Sequence, residues 1–307
     1  MGDHKKGFTL VELLVVVTIL GILMALIIPA VGAARASARN AQCQNNMRNI
    51  AQAMLQHTTS KDRFPRLADN VGSIPTSWVA DVMKVVRPDI YDQWLSNQSV
   101  TGLQVDVLLC PADVRTSGGE EAINYCYNAG RQDINNSPHP LDHAANGIGH
   151  IEPKTLYTGD TRPGVMLTLD YIAKHDGTAM TILVGENVDA TWWTATGANV
   201  PLASAIHWKA NESVTLYNIN ENIDGRNKNS HAAADFAYMR PSSRHSGTVN
   251  FAFCDGSVRT LSETIAPNVY ARLMAPHDKG VKTPGSQTSE ASTLGWDTTV
   301  LSESDLE

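Results

Sequence analysis

The feature that most constrains this chain is an uncharged apolar run from Leu13 to Ala34. Its 22 residues would extend about 33 Å as an α-helix, which is enough to cross the hydrocarbon core of a bilayer. His4, Lys5 and Lys6 precede the run, and positive charges in such a position stay on the cytoplasmic side. The pattern predicts one membrane-spanning helix, with a cytoplasmic N-terminus and the bulk of the chain on the other side.

Three interpretations of this segment differ in the role they give to Glu12, an acid at the entrance of the run. A secretory signal peptide would be cut after small residues, as at Ala34-Arg35-Ala36 or Ala36-Ser37-Ala38, but the run is long for one. An uncut signal anchor leaves Glu12 without a role, although an acid inside a membrane segment costs about 2.5–3.5 kcal/mol. A prepilin signal uses every feature, from the short basic leader that ends in Gly7 to the run Phe8–Glu12.

The segment from Gly7 to Glu12 resembles the N-terminal signal of type IV pilins and type II secretion pseudopilins. The resemblance implies that a prepilin peptidase cuts between Gly7 and Phe8 and that the new amine of Phe8 is N-methylated. Glu12 lies one helical turn beyond Phe8 on the same face, so its carboxylate would neutralise that cation within one chain or between neighbouring subunits. The implied partners are the peptidase, the membrane and other pilin-like subunits.

The apolar run is predicted to continue as a longer helix. Pro29 removes the hydrogen bond to the carbonyl of Ala25, so we expect a kink or a loosened turn there. Beyond it, an amphipathic stripe extends the helix to residue 60 and is formed by Met47, Ile50, Ala51, Met54 and Leu55. The two halves match a pilin-like spine, in which the first half enters the membrane or the filament core and the second half packs on a head.

The remaining composition is that of a folded, mildly acidic protein. Hydrophobic residues make up 42% and charged residues 18%, and the net charge of −7 argues against nucleic acid as a partner. The predicted fold class is α+β, with the long N-terminal helix packed on a mainly antiparallel β head. We expect a leader at 1–7, a transmembrane and spine helix at 8–60, a head at 61–276 with an insertion at about 188–244, and a flexible tail at 277–307.

Two hairpins are predicted in the head. Val165–Ile172 and Met180–Val184 are rich in β-prone residues and flank a turn around Gly177. The clearer hairpin begins at Thr248 and alternates apolar and polar residues up to Cys254, with Asp255-Gly256 as a two-residue turn. Each predicted hairpin favours antiparallel pairing.

His245 and Asp255-Gly256 are separated by nine residues. Together with the N-terminus they resemble a large prepilin-like family that has a C-terminal His-x9-Asp-Gly processing-associated motif and a head domain of unknown function (DUF1559-like). Ten residues of extended strand span about 33 Å, so the His245 and Asp255 side chains are not expected to meet. Further segments that match this family are Cys43–Asn46, Cys110–Asp113, Asp176–Thr178 and Leu183–Glu186.

The four cysteines allow three disulfide connectivities. Cys126 and Cys254 depart from the family's pattern, so the resemblance favours a Cys43–Cys110 bridge that ties the head to the helix. It leaves Cys126–Cys254 as an additional bridge.

Candidate ligand sites in the head are weak. Glu186 is a candidate calcium ligand with Asp176 or Asp255, because carboxylates suit that ion, but a buried salt bridge or a turn acceptor explains Glu186 more simply. Trp192-Trp193 in the insertion is expected to pack rather than to stack on sugars. Histidines without metal-binding spacing, expected to be solvated, are His139, His143 and His150. No other cofactor is predicted.

These observations predict a non-enzymatic structural subunit, because no nucleophile and base are spaced for catalysis. By resemblance, it would be a single-pass inner-membrane protein whose head lies in the periplasm or in an extracellular filament. The filament would belong to a type II secretion or type IV pilus-like machine. The alternative is a membrane-anchored extracytoplasmic module that binds a solute or glycan.

Overall fold

The computed structural model describes residues 10–71, 74–97, 104–113, 122–131, 143–150, 164–190, 204–209, 219–220, 240–282, 289–296, 298 and 301–306. Several predicted features lie outside these residues, namely the leader, the cleavage site at Gly7 and Phe8, His139, Trp192-Trp193 and most of the insertion.

Helix α1 runs from Leu10 to Lys61 and its 52 residues extend about 78 Å. It continues through Pro29, which lies inside the helix. The apolar half is exposed, whereas burial begins near Cys43 and follows the predicted amphipathic stripe. The long N-terminal helix with two different halves is therefore confirmed.

The head is built from short helices and strands. Among the described residues, the helices of the head are α2 Trp78–Val86, α3 Pro88–Asn97, α4 Leu169–Lys174, α5 Pro267–Met274 and α6 Ala291–Leu294, with 3-10 turns at Asp106–Leu108, Asp278–Gly280 and Glu303–Leu306. The strands are β1 Ala68–Val71, β2 Ile74–Ser77, β3 Tyr125–Arg131, β4 Ile182–Glu186, β5 Ala205–Lys209, β6 Thr248–Phe253 and β7 Val258–Ser262.

Five strands form the main sheet in the order β5-β3-β4-β6-β7. Its pairs are antiparallel except β3 with β5, and β1 and β2 form a separate antiparallel pair. Helix α1 packs on the sheet beside β6, and α5 packs on the sheet through Tyr270, whose ring lies 6.1 Å from that of Phe251. The predicted α+β class with a mainly antiparallel head is confirmed.

Strands β6 and β7 form the hairpin that the alternation predicts. Its loop is one residue longer than the predicted two-residue turn. Phe253 N–H donates to the carbonyl of Ser257, which leaves three residues in the loop. Gly256 has φ of +84°, a left-handed conformation that suits this loop type. Asp255 serves the turn, since its Oδ1 accepts a hydrogen bond from Ser257 N–H at 2.8 Å.

The other predicted hairpin is wrong in its first strand, because residues 169–174 form helix α4. Thr168 caps this helix by accepting a hydrogen bond from Tyr171 N–H, and Asp170 and Lys174 pair one turn apart at 2.5 Å. These local interactions favour the helix over the β preference of the apolar residues.

Part of the described stretch of 277–307 packs on the head, whereas the composition predicts a flexible tail. Val281, Ala291 and Trp296 are buried, and the Trp296 ring lies 5.4 Å from the ring of Trp208 on β5. Burying an indole of this size stabilises the segment by a few kcal/mol, which outweighs its polar composition.

Candidate functional site

Four residues from segments that resemble the DUF1559-like family meet at one place, where α1 enters the head. Cys43 lies on α1, Cys110 follows the 3-10 turn at Asp106–Leu108, Glu186 ends β4, and His245 precedes β6. Their sulfur, carboxylate and ring nitrogen atoms lie within 4.8 Å of one another. We call these four residues the junction cluster.

A disulfide joins Cys43 to Cys110 with their Cα atoms 4.9 Å apart, as the family resemblance predicts. The predicted Cys126–Cys254 bridge is wrong, because both residues are free buried cysteines. Cys126 lies opposite Gly185 on β4, whereas Cys254 N–H bonds Thr181 on the other side of that strand. The two cysteines are thus offset by about 13 Å along β4, far beyond the reach of a disulfide.

The thiol of Cys254 is unreactive. Burial, and then the charge of Asp255, raises the pKa of Cys254 well above its ordinary value, so its reactive thiolate is suppressed.

His245 and Glu186 form a buried pair beside the disulfide. His245 Nε2 lies 3.3 Å from Glu186 Oε1 and 3.6 Å from Cys110 Sγ. The side chains of His245 and Glu186 are only 7% and 2% exposed. The Ser243 hydroxyl accepts a hydrogen bond from His245 N–H at 3.1 Å and donates to Thr248 O, which positions the imidazole ahead of β6.

Asn250 supports the carboxylate of Glu186 and connects it to α1. Its backbone N–H donates to Glu186 Oε2 at 3.0 Å and its Nδ2 donates to Glu186 Oε1 at 3.1 Å. The same Nδ2 donates to Asn40 Oδ1 at 2.7 Å, while its Oδ1 accepts from Gln44 Nε2 and Thr260 Oγ1. Glu186 is therefore a buried, fully supported acceptor.

The segment around Cys110 is held by two asparagines. Asn46 Nδ2 on α1 donates to the carbonyls of Asp106 and Leu109 at 3.2 and 2.8 Å. Asn124 Oδ1 accepts from Cys110 N–H at 2.9 Å, and its Nδ2 donates to Asp113 at 2.6 Å. These contacts fix the Cys110 backbone against the helix.

Tyr125 closes the cluster from the sheet side. Its hydroxyl donates to the carbonyl of Cys43 at 3.2 Å. Burial, and then the charge of Glu186, raises the pKa of Tyr125 well above its ordinary value, so the phenol stays a neutral donor.

The structure does not bring Glu186 to Asp176 or Asp255, the acids with which a calcium site is predicted. Asp176 Oδ2 accepts from Asp278 N–H at 2.5 Å, and Asp255 lies in the hairpin loop beyond Phe253. Calcium binding by these acids stays a prediction without a shared geometry. Of the histidines expected to be solvated, His150 is instead buried at 3% exposure, and His143 Nδ1 accepts from Ala145 N–H.

A second polar group lines a cavity of about 390 Å³ beside α4 and α5. The rings of His175 and His277 stack with centroids 4.0 Å apart. Burial raises the pKa of Asp176 to about 6. The hydrogen bond from the backbone N–H of Asp278 has the opposite, smaller effect and lowers this pKa. Burial, and then the charge of His175, lowers the pKa of His277. Nothing in the sequence pattern predicts this group, because its members come from distant segments.

The part of the chain that the structure describes has one helix that is long enough and apolar enough to cross a membrane, and this helix is α1. Residues 3–28 match the family described as Prokaryotic N-terminal methylation motif. Over 74 residues the chain is 34% identical to the Type IV major pilin protein PilA of Myxococcus xanthus (strain DK1622), which covers 24% of this chain and 34% of that relative. The chain thus spans about a third of the length of this curated relative.

No solved structure matches the chain. Residues 32–268 match the family described as Protein of unknown function (DUF1559), and this range contains the whole junction cluster. The assignment of His245 and Asp255-Gly256 to a processing-associated motif stays a prediction. Because the match covers well over half of its length, the chain belongs to the DUF1559 family, and it carries the prokaryotic N-terminal methylation motif.

Proposed function

We propose that this protein is a pilin-like structural subunit that assembles through helix α1 into a type II secretion or type IV pilus-like filament. The observation that carries the proposal is the division of α1 into two environments. Leu26 and Ile28 are 69% and 70% exposed, whereas Met47 and Ile50 are fully buried in the head. An apolar surface of this length needs lipid or other helices to cover it.

The matched methylation motif supports a processing step in this proposal. Prepilin peptidase cuts between Gly7 and Phe8, and the amine of Phe8 is methylated. The lysines before Gly7 keep this end cytoplasmic, so the head lies on the far side of the inner membrane. The similarity to a type IV major pilin within the chain supports this route to assembly.

Assembly exchanges one apolar environment for another. Before assembly, lipid covers the exposed half of α1, and afterwards neighbouring copies of the same half cover it. Glu12 then pairs with the cationic Phe8 amine of a neighbour, which sets the stagger between subunits, since an unpaired acid in hydrocarbon is costly. The buried half of α1 holds the head at a fixed position on the spine.

The test is the variant Glu12→Ala, compared with Val11→Ala one position away. We expect Glu12→Ala to be processed and inserted but excluded from sheared filaments, because it lacks the carboxylate that pairs with Phe8. Val11→Ala, which removes apolar area without charge, should assemble. Filaments from Glu12→Ala at the wild-type level, or a mature chain whose mass lacks a methylated Phe8 terminus, would contradict the proposal.

A further inference from the structure

The junction cluster contains the side chains that bind zinc in structural sites, namely two cysteines, an imidazole and a carboxylate. The ligand atoms of Cys43, Cys110, Glu186 and His245 all lie within 4.8 Å of one another. We propose that, when the Cys43–Cys110 disulfide is reduced, these residues bind one zinc ion in a tetrahedral site. This role is independent of the proposed function, since it concerns the head rather than filament assembly.

The positions of His245 and Glu186 fit this geometry already. With ordinary zinc–ligand bonds, tetrahedral coordination places a histidine nitrogen about 3.6 Å from a sulfur and about 3.4 Å from a carboxylate oxygen. His245 Nε2 lies 3.6 Å from Cys110 Sγ and 3.3 Å from Glu186 Oε1. The imidazole and the carboxylate therefore converge on one point together with the sulfur.

In the oxidised protein Glu186 is paired with His245 and accepts two hydrogen bonds from Asn250. Glu186 is 2% exposed, and burying a carboxylate is costly unless it is paired or binds a metal. The disulfide is neutral and offers the carboxylate no opposite charge. Reduction to two thiolates would add two negative charges beside this carboxylate, and a divalent cation bound between them would offset those charges.

The groups behind the ligands also fit a metal site. Asn250 donates twice to Glu186 and so fixes the orientation of its carboxylate. Outer hydrogen bonds of this kind orient metal ligands and tune their affinity. The asparagine contacts at Cys110 hold its backbone in the same way.

The exchange between the disulfide and the dithiol involves two electrons and two protons. A dithiol reductant gives two electrons and two protons to the Cys43–Cys110 bond, which becomes two thiols while the reductant forms its own disulfide. Zinc binding then releases the two thiol protons, because thiolates are the ligands. In the reverse direction a disulfide oxidant takes two electrons from the two thiolates and becomes a dithiol, so the Cys43–Cys110 bond forms again and the ion leaves. In either state Cys43 on α1 stays joined to Cys110 in the head.

The test uses the full-length protein in detergent, reduced with a phosphine under anaerobic conditions and titrated with Co²⁺ as a spectroscopic probe. We expect one Co²⁺ per chain, with sulfur-to-metal charge-transfer absorption that Zn²⁺ removes, and no such absorption from the oxidised protein. A reduced protein without this absorption would overturn the proposal and leave the cluster as a disulfide site alone.

Variants locate the ligands. Glu186→Gln and His245→Asn should each weaken binding at least about tenfold, and Cys43→Ser should abolish it. Cys126→Ser and Cys254→Ser are matched controls, since they remove buried thiols outside the cluster and should bind as wild type. Return of the Cys43–Cys110 bridge on reoxidation shows that the Glu186 and His245 variants are folded. Unchanged affinity in both of them, or loss of binding in both controls, would refute the assignment.

Discussion

Asn250 is the residue through which α1, the β6–β7 hairpin and Glu186 share one set of hydrogen bonds. It lies between Val249 and Phe251 and is fully buried. A polar residue in an alternating strand is typically directed to solvent, so the pattern does not identify it as a core residue. Its role depends on α1, which supplies Asn40 and Gln44 from more than 200 residues away.

Cys43→Ser tests the stabilising effect of the bridge. The disulfide closes a loop with a sequence separation of 67, so its loss should lower the free energy of unfolding by about 4 kcal/mol through the unfolded chain. Denaturant unfolding of oxidised protein in detergent measures this. Wild type that is reduced and kept metal-free with a chelator should match the variant. A loss below about 1 kcal/mol would show that the loop is already constrained without the bridge.

The variant Asp176→Asn tests the raised pKa of the Asp176 carboxyl group, which lies beside α5. From an ordinary value of 3.8 the pKa rises to about 6, so between these pH values the folded chain holds a proton that the unfolded chain has released. Wild type therefore gains stability as pH falls through 6 towards 4. The variant cannot titrate, so we expect it to be more stable than wild type at pH 7 and to lose this advantage near pH 4.

Chemical denaturation at several pH values measures the difference between these two proteins. His277, whose pKa is lowered, contributes in the opposite direction, but it is present in both proteins and cancels in the difference. Asp170→Asn, at an exposed acid on α4, is the control. A difference for Asp176→Asn that stays constant from pH 4 to pH 7 would rule out the raised pKa.

The sequence identifies each residue of the junction cluster as a candidate, but its residue spacing does not predict that the four residues meet. Cys43, Cys110, Glu186 and His245 each lie in a segment that resembles the family, so each is a candidate by itself. Their meeting is not predictable from spacing, because it depends on the order of strands in the sheet. The missing second disulfide has the same cause, since β4 separates Cys126 from Cys254.

At the scale of elements, α1 is the part that the sequence predicts best. Its exposed, membrane-length half follows from the uncharged run, and its buried face follows from the helical period of the stripe. The short elements are predicted less well, because their formation depends on a single helix cap or on the burial of one indole ring. Helix α4 depends on Thr168, and the packed segment after α5 depends on Trp296.

Two identical substitutions test the division of α1. Ile50→Ala empties a fully buried site and should lower the free energy of unfolding of the head by about 2–5 kcal/mol. Ile22→Ala changes a residue that is 63% exposed and should leave the head within about 0.5 kcal/mol of wild type. Denaturant unfolding in detergent compares them. Equal effects would contradict the packing of the second half of α1 in the head.

At the scale of the whole molecule, the chain combines an apolar helix surface that is exposed with a head that has its own hydrophobic core. The exposed half of α1 is apolar, and the head has its own core with the main sheet at its centre. The junction cluster lies where the two meet. At this junction α1 contributes the disulfide of Cys43 and the hydrogen bonds of Asn40 and Gln44 with Asn250.

The bridge also sets how the molecule responds to mechanical tension. A pull applied along α1 enters the head at Cys43 and passes directly to Cys110, so the segment between them is shielded while the bond is intact. Stretching single molecules between their two ends should give an unfolded contour about 240 Å shorter for the oxidised than for the reduced, metal-free protein. Equal contours would show that tension bypasses the bridge. The bond thus excludes residues 44–109 from the stretched length and delivers the force to the rest of the head at Cys110.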